Sequence, residues 1–309
     1  CSRDWSSDVC SSDLAWIRYR HFVPTLTDWD MVEKGDSVAS KAQLVTDFCG
    51  YNSYAGTGQW IQARGAEEIE NGEFWVGDLT LSTRVEIASV GEGGQLVLEL
   101  VEGGIAYQCR IDCKSATAVL LKVTPDRDVE LASAPCGVSG PGNYHLRFAN
   151  VDDRLILWVN DRVVSFGAGA SLDLSNAITA TLPTDADLTP AGIAARGVDA
   201  TVSELLIERD VYYRADIMGH GHFHHELARQ VHRPETWSQI YQSEAREHDQ
   251  LEMKVDPDGF LAFGDNSPRS KDSRMWDSQM QSVPRRFLVG KAFFIYWPHG
   301  VPFLNGGRG

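Results

Sequence analysis

Apolar and polar residues alternate through the middle of the chain, between about residues 60 and 212. The clearest run places an apolar or β-branched residue at every second position, at Leu79, Leu81, Thr83, Val85 and Ile87. A period of two predicts a strand with one face turned toward a core. Further strands are predicted at Gln95–Leu100, Ala106–Ile111, Ala118–Val123 and Thr201–Arg209.

Turn-forming residues separate the strands that follow. The stretch 144–164 predicts two strands and the start of a third, joined at Asp152-Asp153 and at Asn160-Asp161. Many short strands with turns between them and little helix are typical of an antiparallel β-sandwich. The strand-turn-strand at 155–164 resembles the concanavalin-like jelly-roll sandwiches. We therefore predict a mainly β fold.

A second pattern lies near the end of the chain. Gly259–Phe263 is a short apolar run that predicts a strand, and the turn residues Gly264, Asp265, Asn266 and Ser267 follow it. If the next segment is extended, three polar side chains share one face, at Ser270, Asp272 and Arg274. The acid and the guanidinium can then pair beside a hydroxyl. The alternative is a solvated polar turn.

The segment 264–274 reads G-D-N-S-x-x-S-x-D-S-R and resembles the last signature box of bacterial type I signal peptidases. Val283-Pro284 and the apolar run 288–297 resemble the closing strand of that family. The resemblance implies a serine endopeptidase with a serine nucleophile, a neutral lysine base and no cofactor. It gives the three catalytic-site residues supporting roles: Ser270 orients the lysine, and Asp272 pairs with Arg274 to brace the loop.

The nucleophile and the base of such an enzyme are not recognisable in this chain. The segment 21–26 keeps the Pro-Thr-Leu of the family's serine box but has His21 where the serine belongs. Ser37 and Lys41 stand one helical turn apart, in a polar setting that would not lower a lysine pKa. Lys271 occupies a variable position of the box. We expect both catalytic groups to lie outside this chain.

Composition narrows the possible partners. The chain has 309 residues, 43% of them hydrophobic and 23% charged, and a formal charge of −15. Such acidity argues against nucleic acid as a partner, because nucleic-acid binding needs a basic surface. No apolar run approaches the ~20 residues that cross a bilayer. The resemblance implies exported preproteins as substrates, an N-terminal membrane anchor upstream, and a location at the bacterial inner membrane with the catalytic domain on the extracytoplasmic side.

Metal and disulfide chemistry are not favoured. The tract 220–225 carries alternating histidines, and Asp152-Asp153 could hold calcium, but a solvated loop and a solvated turn are the simpler interpretations, so we predict no metal. If Cys109 and Cys113 share a strand they are about 13 Å apart, too far for a disulfide. Cys136 could reach either. We predict buried thiols for these three and for Cys49.

These patterns together predict one domain interrupted by another. Residues 1–14 have no periodicity and are interpreted as a non-native head. Residues 15–59 are assigned to a partial peptidase body or linker, 60–212 to the β-sandwich insertion, and 213–309 to the C-terminal peptidase segment, with a polar helix through Asp249. The alternative is a non-enzymatic module whose sandwich binds sugar or protein and whose peptidase-like tail is vestigial.

Overall fold

A computed structural model describes residues 14–22, 26–38, 41–46, 75–124, 126–172, 182–211, 213, 233–244, 253–264, 270–277 and 280–290. Its main body is one antiparallel sheet of nine strands. These strands are β1 (Ala15–Tyr19), β2 (Leu79–Glu102), β3 (Ile105–Asp112), β4 (Thr117–Val123), β5 (Asp128–Pro135), β6 (Gly142–Val151), β7 (Arg154–Val159), β8 (Arg162–Val163) and β9 (Ala191–Arg209). Helix α1 (Leu26–Glu33) follows β1.

Two long strands run through both halves of the sheet. Strand β2 has 24 residues and pairs along its length with β9, which has 19. The first part of β2 also pairs with β6 and the last part with β3. One half of the sheet therefore has the order β8-β7-β6-β2-β9, and the other has β5-β4-β3-β2-β9-β1.

Glycines let these strands bend between the halves. The pairing of β2 with β9 is interrupted between Val90 and Gln95. Gly93 and Gly197 adopt positive φ angles of 64° and 59° there. A Cβ on Gly94 would come within 3.0 Å of the carbonyl oxygen of Gly197, so the close approach of the two backbones requires glycine. Bends of this kind carry one strand into two packed sheets.

The halves fold against each other around one core. Leu81 and Val85 from the first half of β2 belong to the same buried cluster as Leu98 and Leu100 from the second half. Phe148 of β6 is fully buried in this cluster. The predicted mainly β fold and antiparallel sandwich are thus confirmed. Strands β2 and β9 are longer than predicted, because periodicity alone does not show that a strand continues through a glycine bend.

The predicted turns and thiols are also found. Asp152-Asp153 and Asn160-Asp161 connect β6 to β7 and β7 to β8, and all four residues have positive φ, between 50° and 62°. Those angles match the twist of the flanking strands. Cys109, Cys113 and Cys136 are buried free thiols, as predicted. Cys49 and the histidine tract 220–225 lie outside the described residues.

Strand β1 corrects the predicted domain boundary. Ala15–Tyr19 was assigned with residues 15–59 to a peptidase body or linker, but it pairs antiparallel with Ala191–Ala195 of β9. Ile17 packs against the core of the sandwich. The sandwich therefore includes a strand that precedes residue 60. Strand pairing across such a long sequence separation leaves no trace in local periodicity.

The described residues after β9 form one helix, two short strands and a short 3₁₀ turn. Helix α2 (Pro234–Glu244) buries Trp237 against Trp75, which precedes β2, with ring centroids 6.1 Å apart. Two short strands, β10 (Gly259–Phe260) and β11 (Val283–Pro284), pair antiparallel. The strand predicted at Gly259–Phe263 is thus only two residues long. Most of the apolar run 288–297 lies outside the described residues.

Candidate functional site

The segment after β10 is organised around a buried ion pair. Arg274 Nε donates to Asp272 Oδ1 at 2.8 Å, and Arg274 Nη2 donates to Asp272 Oδ2 at 2.5 Å. The two side chains are only 2% and 6% exposed. A two-bond contact of this kind fixes the relative orientation of both groups. The two charged side chains that the resemblance pairs are therefore in contact and out of solvent.

The pair forms in a turn and not in an extended segment. The amide of Met275 donates to the carbonyl of Asp272 at 2.8 Å, and the amide of Arg274 donates to Asp272 Oδ1 at 3.2 Å. The expectation that residues 270, 272 and 274 share the face of a strand is therefore wrong. A carboxylate that bonds a backbone N–H two residues later favours a turn over a strand.

Ser273 fastens this turn to the segment that follows β10. Its amide donates to the carbonyl of Ala262 at 3.0 Å, and its hydroxyl accepts from the amide of Ala262 at 2.8 Å. Ser273 is fully buried. Sequence reasoning gave this residue no role, although it fills a fixed position of the signature box.

Gly264 brings Ser270 next to the ion pair. Its amide donates to Asp272 Oδ2 at 3.0 Å. A Cβ on Gly264 would overlap the hydroxyl and the Cβ of Ser270 and would lie 3.9 Å from Asp272 Oδ2. Ser270 therefore lies against Gly264 on the side that faces the carboxylate. Asp265, Asn266 and Ser267, which were predicted to form the loop, lie outside the described residues.

Aromatic rings cover the guanidinium. Tyr213 and Phe263 are stacked, with centroids 5.1 Å apart, and the Cζ atom of Arg274 lies 4.9 Å from the first ring and 5.7 Å from the second. Such contacts favour a cation at a site that has lost its water. Tyr213 follows shortly after β9, and no local sequence signal links it to residues 263 and 274.

The electrostatics hold Asp272 in its charged form. Burial by itself would raise the pKa of this carboxyl, but the hydrogen bonds from the Arg274 side chain, from the Gly264 amide and from the Arg274 amide outweigh burial. The pKa of Asp272 consequently lies below its usual value. At neutral pH the pair is charged on both sides, and both oxygens of the Asp272 carboxylate are engaged by the guanidinium of Arg274.

The other sequence candidates are not assembled at this site. Helix α1 ends at Glu33, so Ser37 and Lys41 do not share the helical turn that their spacing allowed, and both are exposed. His21 Nδ1 lies 2.9 Å from the hydroxyl of Tyr19. No helix within the described parts of the chain has the length and apolar character needed to cross a membrane.

One serine of the sandwich has a histidine neighbour. Ser82 Oγ lies 3.1 Å from His145 Nε2, and His145 Nδ1 lies 3.1 Å from Asp161 Oδ1. The Asp161 side chain is 85% exposed, so solvent screens its interaction with the histidine. Ser82 also lies within β2, between Arg147 of β6 and Leu206 of β9, and this strand pairing uses the backbone groups that would stabilise an oxyanion. We assign this chain of contacts to surface hydrogen bonding.

Carboxylates gather at one end of the sandwich. Glu102 accepts from Asn150 Nδ2 at 2.6 Å. Burial, followed by the charge of Asp78, raises the pKa of Glu102 to about 7. Burial and the charges of Asp210 and Asp152 raise the pKa of Asp78 to about 6. Asp152 and its neighbour are exposed turn residues, and among the described residues no group of three or more His, Cys, Asp or Glu could hold a metal ion.

Comparison with known proteins separates the two parts of the chain. The family model described as signal peptidase, peptidase S26, matches residues 210–297. This match covers the buried ion pair, Ser270 and Tyr213, and it supports a relation of the C-terminal region to signal peptidases. No curated protein matches the chain.

Solved structures resemble the chain over less than half of its length. The carbohydrate-binding module CBM66 from Bacillus subtilis has a TM-score of 0.33 and 16% identity, over 43% of this chain and 75% of that one. Sheep galectin-11, in complex with glycerol, has a TM-score of 0.30 and 13% identity, over 43% of this chain and 90% of that one. Galectin LEC-6 from Caenorhabditis elegans has a TM-score of 0.28 and 11% identity, over 42% and 84%. Likenesses at this level carry no conclusion about function.

Proposed function

We propose that the C-terminal region is the closing part of a type I signal peptidase, a serine endopeptidase that removes signal peptides from exported preproteins. The family match over residues 210–297 supports this assignment. The substrate would be a peptide bond that follows a small-x-small sequence. Hydrolysis by serine and lysine needs no cofactor.

The observation that carries the proposal is the buried pair of Asp272 and Arg274 beside Ser270. A solvated polar turn would leave both charged groups in water. Here the carboxylate of Asp272 accepts hydrogen bonds from the amide of Gly264 and from the guanidinium of Arg274, and Ser270 lies against the same glycine. In the proposed enzyme Ser270 orients the lysine, and the ion pair keeps Ser270 in place.

The nucleophilic serine and the lysine base would come from segments that this sequence does not contain. The membrane anchor of the intact enzyme would be supplied in the same way, and the catalytic domain would lie on the extracytoplasmic side of the bacterial inner membrane. The exposed apolar side chains of the C-terminal segment, Phe260, Phe263, Phe287 and Leu288, agree with a surface that further strands would cover.

The test uses the longest gene product that contains this chain, in detergent, with a quenched peptide substrate that carries a small-x-small sequence. We expect Arg274→Lys and Ser270→Ala to lower kcat by about 10²-fold, because a shift of ~1 Å in a catalytic group costs that much. Asp258→Asn is the control, since it alters an exposed ion pair with Arg285. Residues 1–309 alone should give no serine-dependent cleavage.

Two results would count against this proposal. Serine-dependent cleavage by residues 1–309 would place the nucleophile in this chain and overturn the assigned roles. A longer gene product that binds but never cleaves the peptide would favour the alternative, in which a sugar- or protein-binding sandwich carries a vestigial peptidase-like tail. The sequence upstream of the chain discriminates further, because a peptidase requires a serine box and a lysine box there.

A further inference from the structure

The end of strand β9 is fixed to the start of β2. The amide of Asp210 donates to the carbonyl of Asp78 at 3.0 Å, and the amide of Val211 donates to Asp210 Oδ1 at 2.8 Å. These bonds continue the antiparallel pairing of β9 with β2 beyond the last residue of β9. The chain therefore leaves the sandwich in a defined position only two residues before Tyr213.

Tyr213 lies between this anchored end and the signature box. Its ring stacks on Phe263, with 25° between the ring planes, and its centroid lies 4.9 Å from Arg274 Cζ. Tyr213 is 41% exposed, whereas the side chain of Arg274 is only 2% exposed. The ring therefore separates the guanidinium from solvent. A cation–π contact is worth more at such a desolvated cation than at an exposed one.

Both aromatic contacts of Tyr213 lead to the carboxylate of Asp272. Phe263 directly precedes Gly264, whose amide donates to Asp272 Oδ2 at 3.0 Å. Arg274 donates to both oxygens of the same carboxylate. A displacement of the Tyr213 ring would therefore disturb the buried ion pair from the guanidinium side and from the glycine side at once.

A second contact joins the same two parts of the chain. Trp237 of α2 packs against Trp75, and Ser238 Oγ donates to the carbonyl of Pro183, which precedes β9, at 3.4 Å. Helix α2 and Tyr213 both belong to the region 210–297 that the signal peptidase model matches. The peptidase-like region is thus attached to the sandwich at two places.

We propose that Tyr213 is a positioning residue of the peptidase site, through which the anchored end of β9 holds the ion pair of Asp272 and Arg274 and, with it, Ser270. The sandwich is then part of the support of that site. The role of Ser270 rests on the proposed function, but the contact of Tyr213 with the ion pair is testable without peptidase activity.

Hydrogen exchange of the full chain tests the contact at the amides of Gly264 and Ser273, which are bonded next to the ion pair. Tyr213→Leu keeps an apolar side chain but removes the ring, and we expect it to speed exchange at both amides by at least ~10-fold, because the guanidinium loses a desolvated contact. Tyr213→Phe keeps the ring and should change these rates by less than ~2-fold. The amide of Leu146 in β6 should keep its protection.

Phe260→Leu is the matched control. Arg285 Cζ lies 5.0 Å from the Phe260 ring, the same kind of contact in the same segment, but the Arg285 side chain is 65% exposed. An exposed contact contributes little, so exchange at residues 264 and 273 should rise by less than ~3-fold.

A variant with two glycines inserted between residues 211 and 212 tests the anchor. The insertion separates Tyr213 from the fixed end of β9 and leaves the ring itself unchanged. We expect faster exchange at Gly264 and Ser273, in the same direction as in Tyr213→Leu, because a longer flexible connection positions the ring less well.

The longest gene product gives the kinetic readout. Tyr213→Leu should lower kcat by ~10-fold and leave KM unchanged, and Tyr213→Phe should keep the parent kcat, because a positioning residue acts on the chemical step through Arg274. Parent-like exchange in Tyr213→Leu or in the insertion variant, equal effects of Tyr213→Leu and Tyr213→Phe, or an unchanged kcat in an active Tyr213→Leu enzyme would overturn the proposal. A parent product that does not cleave would count against the proposed function, and the exchange rates would still decide whether Tyr213 positions the ion pair.

Discussion

The sandwich and the C-terminal segment are held together by different forces. The sandwich has one continuous buried core, to which both halves of β2 contribute leucines. The described residues of the segment 253–290 form two paired strands of two residues each. They are also held by the ion pair of Asp272 and Arg274 and by the double hydrogen bond between Ser273 and Ala262. Most of the large apolar side chains described in this segment are exposed, with Phe287 62% exposed.

The difference predicts opposite responses to perturbation. An apolar core distributes its stability over many contacts, so single polar changes at its surface matter little. A segment braced by one buried ion pair depends on that pair, because breaking it leaves an uncompensated charge. The two regions also hold their carboxyl groups differently, since burial raises the pKa of Glu102 and hydrogen bonds lower the pKa of Asp272.

The largest effect is expected from Arg274→Ala. The change leaves the buried carboxylate of Asp272 without its charged partner. Loss of one partner of a buried ion pair typically lowers the free energy of unfolding by about 3 to 5 kcal/mol. Hydrogen exchange at the amides of Gly264 and Ser273 measures the loss, because both amides are bonded within the braced loop. The amides of β6 should keep their protection.

The matched control is Arg285→Ala. Arg285 pairs with Asp258 in the same segment, but the two side chains are 65% and 73% exposed. An exposed pair contributes about 0 to 1 kcal/mol. Equal losses of protection in the two variants would show that the segment is not braced by the buried pair.

Strand β1 should matter nearly as much to the sandwich. Removing it uncovers the edge of β9 and leaves Glu99 without Arg18. Because Arg18 is partly exposed, we expect the lost ion pair to cost about 1 to 3 kcal/mol, with the lost apolar packing of Ile17 in addition. Thermal melting of residues 14–211 and of residues 60–212 gives the comparison. If the fragment 60–212 has the same melting temperature as the longer fragment, the sandwich does not need β1 for its stability and its boundary lies at residue 60.

Substitution of Gly264 tests how closely Ser270 is packed. In Gly264→Ala the new methyl group overlaps the Ser270 side chain, so the serine or the loop must move. Overpacking of this kind typically costs about 1 to 3 kcal/mol. The exchange rate of the backbone amide at position 264 should rise, and Gly264→Ala with Ser270→Gly should restore protection. Gly290→Ala is the control, since a Cβ there meets open space.

The stability of the two regions should change with pH in opposite directions. The pKa of Glu102, about 7, and that of Asp78, about 6, are raised above the ordinary values of 4.5 and 3.8. The stability that these groups contribute is full below about pH 4 and is lost as pH rises through 6 to 7. We expect the sandwich to lose roughly 1 to 2 kcal/mol between pH 5 and pH 8, after allowance for solvent screening.

The C-terminal segment should respond in the opposite direction. The pKa of Asp272 is lowered, so the stability contributed by its pair is present above the ordinary value of 3.8 and is lost as pH falls through the lower folded value. Urea unfolding followed by exchange at the amides of Leu146 and Ser273 reports the two regions separately. Glu102→Gln should flatten the dependence above pH 5 in the sandwich only. A slope that persists unchanged in this variant would mean that other groups titrate.

Much of the sandwich was predictable because its signals are local. The alternation from Leu79 to Ile87 marks the buried face of β2, and the acidic and amide residues at 152–153 and 160–161 tolerate the positive φ of tight hairpins. The signature box likewise indicated which acid and which guanidinium pair. Its geometry was predicted wrongly, since the box folds as a turn in which Asp272 bonds the amide of Arg274.

What the sequence by itself determined is therefore the period of the strands, the position of the tight turns and the identity of the paired charges, because each depends on residues close in the chain. Only the tertiary structure decided that β2 continues through its glycine bend into both halves, that β1 pairs with β9, and that Tyr213 stacks on Phe263 over Arg274. Those contacts join residues far apart in sequence, and the burial that selects them exists only after the chain has folded.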